Sequence, residues 1–136
     1  MNVKNSILVL PLLLSLPVLA GNGHVIHSQP VNNTIYFDSN SSQLKDKWSE
    51  LITAHASFIK GHDIKVLVAG FTDKQGSDEY NHWLGEQRAK KVCKALLEQG
   101  VSIDSVSCFS YGENHLADTG NSADANARNR RIKFVY

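Results

Sequence analysis

Two oppositely charged side chains, Asp73 and Arg88, are the residues of this chain best suited to bind a ligand. Asp73 follows the apolar segment 64–70, which predicts a buried strand, and open α/β sheets bind ligands at the carboxyl ends of their strands. Arg88 lies about three turns into a helix that is predicted to begin near Ser77. A carboxylate only accepts hydrogen bonds and a guanidinium only donates them, so together they suit a ligand that carries both an ammonium and a carboxylate.

Both residues also allow a structural interpretation, which the sequence leaves open. Asp73 could cap its own loop or the helix that follows, and Arg88 could be solvated or paired with Asp73 alone. Thr72 and Asn81, which lie close by in the sequence, could satisfy local backbone groups instead of a ligand.

The elements that must position these side chains are predicted from the spacing of apolar residues and from cap and turn residues. A first helix is expected to start at Ser41 or Ser42 and to end just before Gly61. The full order is a strand at 34–37, this helix, a strand at 64–70, a helix from about Ser77 to Gly100, a strand at 106–111, a polar loop at 112–124 and a strand at 131–136. Because β-α-β crossovers are right-handed, this order predicts an α/β two-layer sandwich, β-α-β-α-β-β, with the helices on one face of a mixed sheet.

The chain is predicted to divide into three segments. Residues 1–20 have the pattern of a secretory signal peptide, with Lys4, an apolar run, and the small residues Val18 and Ala20 before a cleavage site at Gly21. The apolar run is short for a membrane span and contains prolines, which argues against an anchor. Residues 21–33 are typical of an extended polar arm, and residues 34–136 form the expected globular domain. After cleavage we expect an exported protein without an integral membrane segment.

The two cysteines, Cys93 and Cys108, allow one intramolecular disulfide in an oxidising compartment. Cys93 lies on the inner side of the second predicted helix, and Cys108 shares a strand face with Val106, so both are expected to point into the helix–sheet interface. Two buried free thiols are the alternative, because a bridge requires Cα atoms within about 7 Å and packed layers are often wider.

Composition and motifs exclude several classes of function. The chain has 14 basic and 13 acidic residues and a net charge of +1, which argues against nucleic-acid binding and against docking on anionic lipid. No second carboxylate is obviously paired with Asp73 for glycoside hydrolysis, and neither a nucleophile elbow nor a His-Glu-x-x-His motif occurs. His24 and His27 lack other ligands at metal-binding spacing. We therefore expect no enzymatic activity, no metal and no cofactor.

Several separated motifs occur in the globular part in the order found in a known family. They are Gly70-Phe71-Thr72-Asp73, Gly76, Tyr80-Asn81, Leu84-Gly85-Glu86-Gln87-Arg88-Ala89 and Asn129-Arg130-Arg131, together with Tyr36-Phe37-Asp38, Ser41, Leu44 and Ser110-Tyr111-Gly112-Glu113. The pattern closely resembles the C-terminal, peptidoglycan-binding domain of the OmpA family, which is shared by peptidoglycan-associated lipoproteins and flagellar stator proteins. The resemblance covers residues 34–136. One departure is Phe71, where the family usually has His, so that a ring is kept and a hydrogen-bond donor is lost.

The resemblance implies non-covalent binding of peptidoglycan through the meso-diaminopimelate of its stem peptide, which would anchor or organise the cell envelope. Asp73 and Arg88 would hold the two charged groups of that residue. Six further residues are expected to contact the ligand: Thr72, Asn81, Leu84, Asp38, Asn129 and Arg130. The structural alternative for Arg130 or Arg131 is an ion pair with Asp38 or Asp73. If Asp73 and Arg88 both face a ligand, neither should be needed by the core, and alanine variants should lose binding with little change in stability.

The resemblance also implies a location, the periplasm of a Gram-negative type of envelope, with association to the outer membrane through partners. The alternative role is that of a wall-anchoring subunit in a larger envelope machine, such as a motor or a secretion complex. In that role the arm at 21–33 would dock other envelope proteins. The sequence does not separate the two roles.

Overall fold

The computed structural model describes residues 19–20, 24–25 and 28–136. The predicted signal segment at 1–20 therefore lies almost entirely outside the described residues, whereas only residues 21–23 and 26–27 of the predicted arm at 21–33 do. Two short strands are described there, β1 (Leu19–Ala20) and β2 (His24–Val25), and they pair with each other in antiparallel orientation. Within the described ranges, no helix combines the length and the apolar character that a membrane crossing requires.

The globular part contains the predicted elements in the predicted order and one additional short helix. Its elements are β3 (Thr34–Tyr36), α1 (Ser49–His62), β4 (Val66–Phe71), α2 (Asp78–Glu98), β5 (Val106–Gly112), α3 (Ala123–Asn129) and β6 (Arg131–Val135). Helix α3 begins within the polar loop predicted at 112–124. It forms there because the hydroxyl of Ser122 accepts a hydrogen bond from the Ala125 amide at 3.0 Å and caps the helix.

Four strands form one mixed sheet in the order β3-β6-β4-β5. Strands β4 and β5 are parallel, whereas β6 runs antiparallel to both β3 and β4. Helices α1 and α2 cover one face of the sheet, and the core between them is built from Ile35, Phe37, Ile52, Ala56, Ile59, Val66, Val68, Ala89, Val92, Cys93, Leu96, Val101, Ile132 and Phe134. The predicted α/β two-layer sandwich is confirmed.

Helix α1 begins later than the sequence predicted. Residues 37–45 form a loop that leads into a 3-10 turn at Asp46–Trp48, and the hydroxyl of Ser41 accepts a hydrogen bond from the Gln43 amide at 3.1 Å within this loop. The helix also ends two residues later than expected, since His62 is its last residue and Asp63 takes a left-handed conformation with φ of 49°. The extended 37–45 loop has a consequence for the site, because it reaches the carboxyl end of β4.

Helix α2 packs unusually close to the sheet because two glycines meet there. A Cβ atom on Gly70 in β4 would collide with the carbonyl oxygen of Gly85, and a Cβ atom on Gly85 would collide with the hydroxyl of Ser110 in β5. Only glycine permits an approach this close. The start of α2 is fixed by Ser77, whose hydroxyl accepts a hydrogen bond from the Tyr80 amide at 3.2 Å, as the sequence predicted. The first three turns of α2 are thereby held beside the carboxyl end of β4.

Candidate ligand-binding site

A cavity of about 260 Å³ lies at the carboxyl end of β4. It is lined by Ser39, Asn40, Thr72, Asp73, Gln75, Gly76, Tyr80, Asn81, Leu84, Arg88 and Arg130. Six of the eight predicted ligand-binding residues are in this set, namely Thr72, Asp73, Asn81, Leu84, Arg88 and Arg130. Pockets for drug-sized ligands usually have about 300–1,000 Å³, so this cavity suits a small group at the end of a chain.

Arg88 is completely buried and connects three separate segments of the chain. Its Nε atom donates to the carbonyl of Ser41 at 2.8 Å, Nη1 to the carbonyl of Phe71 at 3.2 Å and Nη2 to the carbonyl of Asp38 at 3.1 Å. The guanidinium also lies over the ring of Phe37, 5.3 Å from its centroid. The expectation that Arg88 is not needed by the core is therefore wrong, because its removal would take a donor from three carbonyls, although that of Asp38 keeps the Ser41 amide at 3.3 Å.

The positive charge of Arg88 is only partly compensated. None of the ion pairs among the described residues includes its guanidinium, although the Asp73 carboxylate is close enough to act on it. Burial lowers the pKa of Arg88 to about 10, against the opposing effect of Asp73, so the group remains cationic at neutral pH. The three carbonyls use three of the five guanidinium N–H groups, which leaves two for a ligand in the cavity.

Asp73 is the only acidic residue among those that line the cavity, and it is almost completely buried. One carboxylate oxygen, Oδ1, accepts a hydrogen bond from the Gln75 amide at 3.1 Å. The other, Oδ2, lies 3.4 Å from Nη1 of Arg130, whose Nε donates to the carbonyl of Phe37 at 3.0 Å. Asp73 therefore makes two structural contacts, one within its own loop and one with Arg130. The contact with Arg130 is long, so the carboxylate retains acceptor capacity for another donor.

Thr72 and Asn81 hold the backbone on both sides of Asp73. The Thr72 amide donates to the carbonyl of Gly112 at 2.9 Å, and its hydroxyl donates to the carbonyl of Asp73 at 2.9 Å. The side-chain amide of Asn81 donates to the same Asp73 carbonyl at 3.2 Å and to a carboxylate oxygen of Glu113 at 3.3 Å. Both side chains are buried at the cavity wall, where they fix the position of the Asp73 carboxylate.

Two predicted ligand-binding residues, Asp38 and Asn129, do not line this cavity. The Asp38 carboxylate is exposed and pairs with Lys45 at 2.7 Å, and this contact lowers its pKa. Only the Asp38 carbonyl turns inward, to Arg88. Asn129 is fully buried and holds another loop, since its Oδ1 accepts from the amides of Ala117 at 2.7 Å and Asp118 at 3.0 Å.

Five cavity residues were not singled out as ligand contacts from the sequence: Ser39, Asn40, Gln75, Gly76 and Tyr80. Asn40 and Tyr80 join the two sides of the opening, because the Tyr80 hydroxyl donates to Oδ1 of Asn40. Asn40 has a φ of 54°, a conformation that Asn tolerates better than most residues. The turn-forming residues at 38–42 were the available signal, since they predict a loop, but only a helix cap at Ser41 or Ser42 was inferred from them.

The Phe71 ring points away from the cavity. It lies on the helix-free face of the sheet, where it stacks on Tyr111 with a centroid distance of 5.3 Å and supports the Arg131 guanidinium at 4.0 Å. Arg131 donates to the carbonyls of Asn129 at 3.3 Å and His115 at 3.1 Å, and not to an acidic side chain. The departure from the family expected at Phe71 therefore concerns the face opposite the cavity, whereas only the Phe71 carbonyl contacts a cavity residue, Arg88.

A disulfide joins Cys93 in α2 to Cys108 in β5, with Cα atoms 6.5 Å apart. Cys93 is buried, as expected, but Cys108 is exposed on the edge strand of the sheet. The predicted disulfide is therefore present, and both side chains point towards the helix–sheet interface, although Cys108 remains exposed at its edge. The covalent link connects the helix that carries Arg88 to the strand beside β4.

The cavity has the chemistry of a binding site for a small group with two opposite charges. It presents one carboxylate and two guanidinium groups, those of Asp73, Arg88 and Arg130. No cluster of three or more His, Cys, Asp or Glu side chains in the described part of the chain is arranged to hold a metal ion. The charged side chains of this cavity are able to form charge-assisted hydrogen bonds with a ligand.

Fold and cavity together define a small α/β binding domain, and comparison with known proteins identifies its family. The model of the OmpA family matches residues 36–130, so the chain belongs to the OmpA family. It is 37% identical over 116 residues to the peptidoglycan-associated lipoprotein of Legionella pneumophila, covering 84% of this chain and 66% of that protein. It is 41% identical to the peptidoglycan-associated lipoprotein of Pseudomonas putida, covering 74% of this chain and 61% of that protein. The chain thus spans less than two thirds of the length of these curated relatives.

Solved structures agree with this assignment. The peptidoglycan-associated lipoprotein from Burkholderia pseudomallei superimposes with a TM-score of 0.76 at 34% identity, covering 77% of this chain and 90% of that one. The cell wall anchor of the type VI secretion system from Pseudomonas aeruginosa gives a TM-score of 0.64 at 26% identity, covering 74% and 76%. The C-terminal domain of Helicobacter pylori MotB shares the fold, with a TM-score of 0.71 at 23% identity over 76% of this chain and 83% of that one. The OmpA family consists of structural proteins, so the chain is not an enzyme.

Proposed function

We propose that this protein binds peptidoglycan non-covalently and that its cavity receives the free end of a diaminopimelate residue in the stem peptide. One observation carries the proposal: the buried, cationic Arg88 has two unused N–H groups in a small cavity that also contains the Asp73 carboxylate. The free end of diaminopimelate carries one carboxylate and one ammonium. A guanidinium, which only donates hydrogen bonds, matches the carboxylate of the ligand, and a carboxylate, which only accepts them, matches its ammonium.

Each lining residue has a role in this proposal. Arg88 and Arg130 bind the carboxylate of the ligand, and Asp73 accepts hydrogen bonds from its ammonium. The ammonium can compete for Oδ2 of Asp73 because the existing Arg130 contact is long, at 3.4 Å. Leu84 contributes an apolar wall for the methylene groups of the ligand, and Thr72 and Asn81 keep Asp73 in position.

The relatives support binding to the cell wall as the broader function. Two relatives and one solved structure are named as peptidoglycan-associated lipoproteins, and another structure is named as a cell wall anchor. We infer a role in anchoring or organising the cell envelope, with the protein exported to the periplasm. Cleavage after Ala20 is part of this inference, and outer-membrane association would depend on partners. Intact-mass measurement of the exported protein would test the cleavage site.

A wall-anchoring subunit of a larger machine is the second candidate role. The observation in its favour is the likeness to the secretion-system wall anchor, at 26% identity and a TM-score of 0.64. Purification under native conditions from an envelope extract distinguishes the roles. Stoichiometric recovery of other envelope proteins supports a subunit, whereas recovery of the protein alone with wall fragments supports an independent wall binder.

Co-sedimentation with purified sacculi tests the proposed site. We expect binding to diaminopimelate-containing sacculi and much weaker binding to lysine-type wall. Asp73→Asn should reduce binding by at least about tenfold, because hydrogen bonds to charged groups contribute roughly 1.5–3 kcal/mol. Asp104→Asn is the matched control, since Asp104 is exposed in the turn before β5 and the substitution produces the same change in net charge.

The outcomes separate the ligand from the site. Equal binding to both types of wall would remove diaminopimelate as the recognised group. Equal binding by the Asp73→Asn and Asp104→Asn variants would place the site elsewhere, even if the protein still binds the wall. Thermal unfolding of both variants verifies that any loss of binding is not a loss of folding.

A further inference from the structure

Trp83, one of the two tryptophans of the chain, presents its indole at the surface beside the cavity. Its side chain is 50% exposed, and its ring centroid lies 5.6 Å from that of Tyr80, which lines the cavity and is itself 37% exposed. Trp83 is not among the lining residues. The two rings therefore form a surface that continues outward from the cavity wall, which we call the rim pair. An indole this exposed contributes little to the core, whereas aromatic side chains with a polar atom are well suited to ligand contact.

Polar groups stand on both sides of the Trp83 ring along the helix. Glu79 and Gln87 lie one turn before and one turn after Trp83, at the spacing that places side chains next to each other on a helix surface. Glu79 is exposed and belongs to none of the ion pairs of the described residues. An apolar ring between hydrogen-bonding groups matches a sugar ring, which has an apolar C–H face and hydroxyl groups around its edge.

The covalent structure of peptidoglycan places a sugar close to the diaminopimelate residue that would occupy the cavity. About two residues of the stem peptide, roughly 7 Å of extended chain, separate diaminopimelate from the group that links the peptide to its amino sugar. A ligand whose diaminopimelate end occupies the cavity must therefore leave past the cavity wall. Tyr80 belongs to that wall, and the centroid of the Trp83 ring lies 5.6 Å from that of Tyr80.

We propose that the rim pair, Tyr80 and Trp83, stacks on the amino-sugar ring that carries the stem peptide, while the cavity holds the peptide itself. The inference rests on the proposed function and extends it from the peptide to the glycan strand. The protein would then recognise a peptide attached to its sugar in preference to the free peptide. Trp83 would supply most of this preference, because its indole is the larger and more exposed ring of the pair.

Two ligands separate this contact from the cavity contacts: a diaminopimelate-containing disaccharide-peptide and the same stem peptide without sugar. Trp83→Ala should weaken binding of the disaccharide-peptide by about tenfold and leave binding of the free peptide unchanged, in line with the usual contribution of one aromatic stacking contact. Phe109→Ala is the matched control. Phe109 is 51% exposed but lies on the helix-free face of the sheet, so its removal should change neither affinity.

A fluorescence readout follows the contact directly. The Trp48→Phe variant leaves Trp83 as the only indole of the chain. Its emission should shift to shorter wavelength when the disaccharide-peptide binds, because stacking removes water from the ring, and should stay unchanged when the free peptide binds. Thermal unfolding of each variant verifies that the fold is retained.

The inference is overturned if Trp83→Ala leaves both affinities unchanged, or if it weakens both ligands equally. An unchanged emission spectrum on saturation with the disaccharide-peptide would also overturn it. These failures differ from a failure of the proposed function. If the free peptide binds and Asp73→Asn abolishes that binding, the cavity assignment stands whatever Trp83 does. If the wild-type protein binds neither ligand, both proposals are wrong.

Discussion

At the scale of single residues, Arg88 combines a structural role with the proposed binding role. The same guanidinium that lines the cavity binds three carbonyl groups from the 37–45 loop and the end of β4. Loss of binding in an Arg88 variant would therefore not by itself identify a ligand contact. Asp73 is the more informative position, because its removal leaves fewer buried groups without a partner.

Arg88→Ala should destabilise the protein by about 2–5 kcal/mol, since the carbonyls of Ser41 and Phe71 lose the Arg88 donor, at about 1–3 kcal/mol for each unsatisfied group. Arg88→Lys should also destabilise, because an ammonium does not reproduce the planar guanidinium fork. Urea unfolding measures both effects. Arg128→Ala is the control, because Arg128 forms an exposed pair with Asp118 and such pairs contribute only about 0–1 kcal/mol. A loss below about 1 kcal/mol for Arg88→Ala would contradict the structural role.

A second buried polar residue, His55, connects α1 to Asn32, just before the globular part, and to Tyr136 at its end. Its Nε2 atom lies 2.9 Å from the Asn32 carbonyl, which only accepts, so Nε2 carries the proton and Nδ1 accepts from the Tyr136 hydroxyl at 2.6 Å. The imidazole stacks on Phe134 with a centroid distance of 3.8 Å. Burial lowers the pKa of His55 and raises the pKa of Tyr136 to about 12, so both groups are neutral in the folded protein near pH 7.

The lowered pKa of His55 predicts a loss of stability in acid. The unfolded chain binds a proton at a pKa of about 6.5, above that of the folded state. Stability is therefore fully present above about pH 6.5 and falls as the pH drops towards the folded pKa, by at most about 1.4 kcal/mol per pH unit from this group. Urea unfolding at pH 7.5 and 5.5 measures the change. His55→Phe should reduce the pH dependence, whereas His62→Gln, on the exposed end of α1, should keep it. An increase in stability on acidification would refute the prediction.

At the scale of elements, the contact between α2 and the sheet depends on Gly70 and Gly85. Alanine at Gly70 meets a backbone carbonyl, which cannot move without the helix, whereas alanine at Gly85 meets the Ser110 hydroxyl, which can rotate at the cost of the hydrogen bond that it accepts from the Gly112 amide at 3.1 Å. Gly70→Ala should therefore destabilise by about 3 kcal/mol or more and Gly85→Ala by less. Both should weaken sacculus binding, because Leu84 and Arg88 move with the helix.

Urea unfolding ranks these glycine variants. Ser110→Gly should partly restore stability to the Gly85→Ala variant, because it removes the atoms that clash. Gly61→Ala is the control, since Gly61 is exposed in α1 and alanine there should stabilise by up to about 1 kcal/mol. Equal stability of the Gly70→Ala variant and the wild type would show that the close approach is not required.

The disulfide acts at the same scale, because it links α2 to the edge strand β5. The bridged cysteines are 15 residues apart, and closing a loop of this length stabilises by about 3 kcal/mol in the chain-entropy model. Reduction should therefore lower the urea midpoint of the wild type. The Cys93→Ala, Cys108→Ala double variant should be insensitive to reductant. An intact mass that corresponds to two free thiols in the exported protein would contradict the link.

At the scale of the whole molecule, the small size of the proposed binding cavity predicts modest affinity for one stem peptide. Strong retention on the wall would then require several such contacts at once. Two copies joined by a flexible linker should bind sacculi about 10²–10⁴ times more tightly than one copy. Their affinity per cavity for a soluble stem peptide should stay the same. Titration of sacculi with both forms measures the ratio. If linkage brings no gain, the sites on the wall are too far apart for the linker or the single contact is already tight.

The sequence alone determined the order of the elements, the two-layer architecture and most of the cavity. Apolar spacing, cap residues such as Ser77 and the motif around Asp73 are local features, so they can be identified without knowledge of the fold. The sequence misplaced the start of α1, because the cap residue expected there can make a different local contact. The Ser41 hydroxyl closes a turn within the 37–45 loop, although the same residue type often caps a helix.

Only the tertiary structure decided which of the predicted residues face the cavity and which support the fold. Arg88 binds carbonyls 47 and 50 residues away in the chain, and no local pattern predicts this burial. The Asp38 carboxylate points outward to Lys45, and Cys108 is exposed on an edge strand. The physical reason is common to all three: burial and the direction of a side chain depend on elements that are distant in sequence, which meet only when the sheet and its helices have packed.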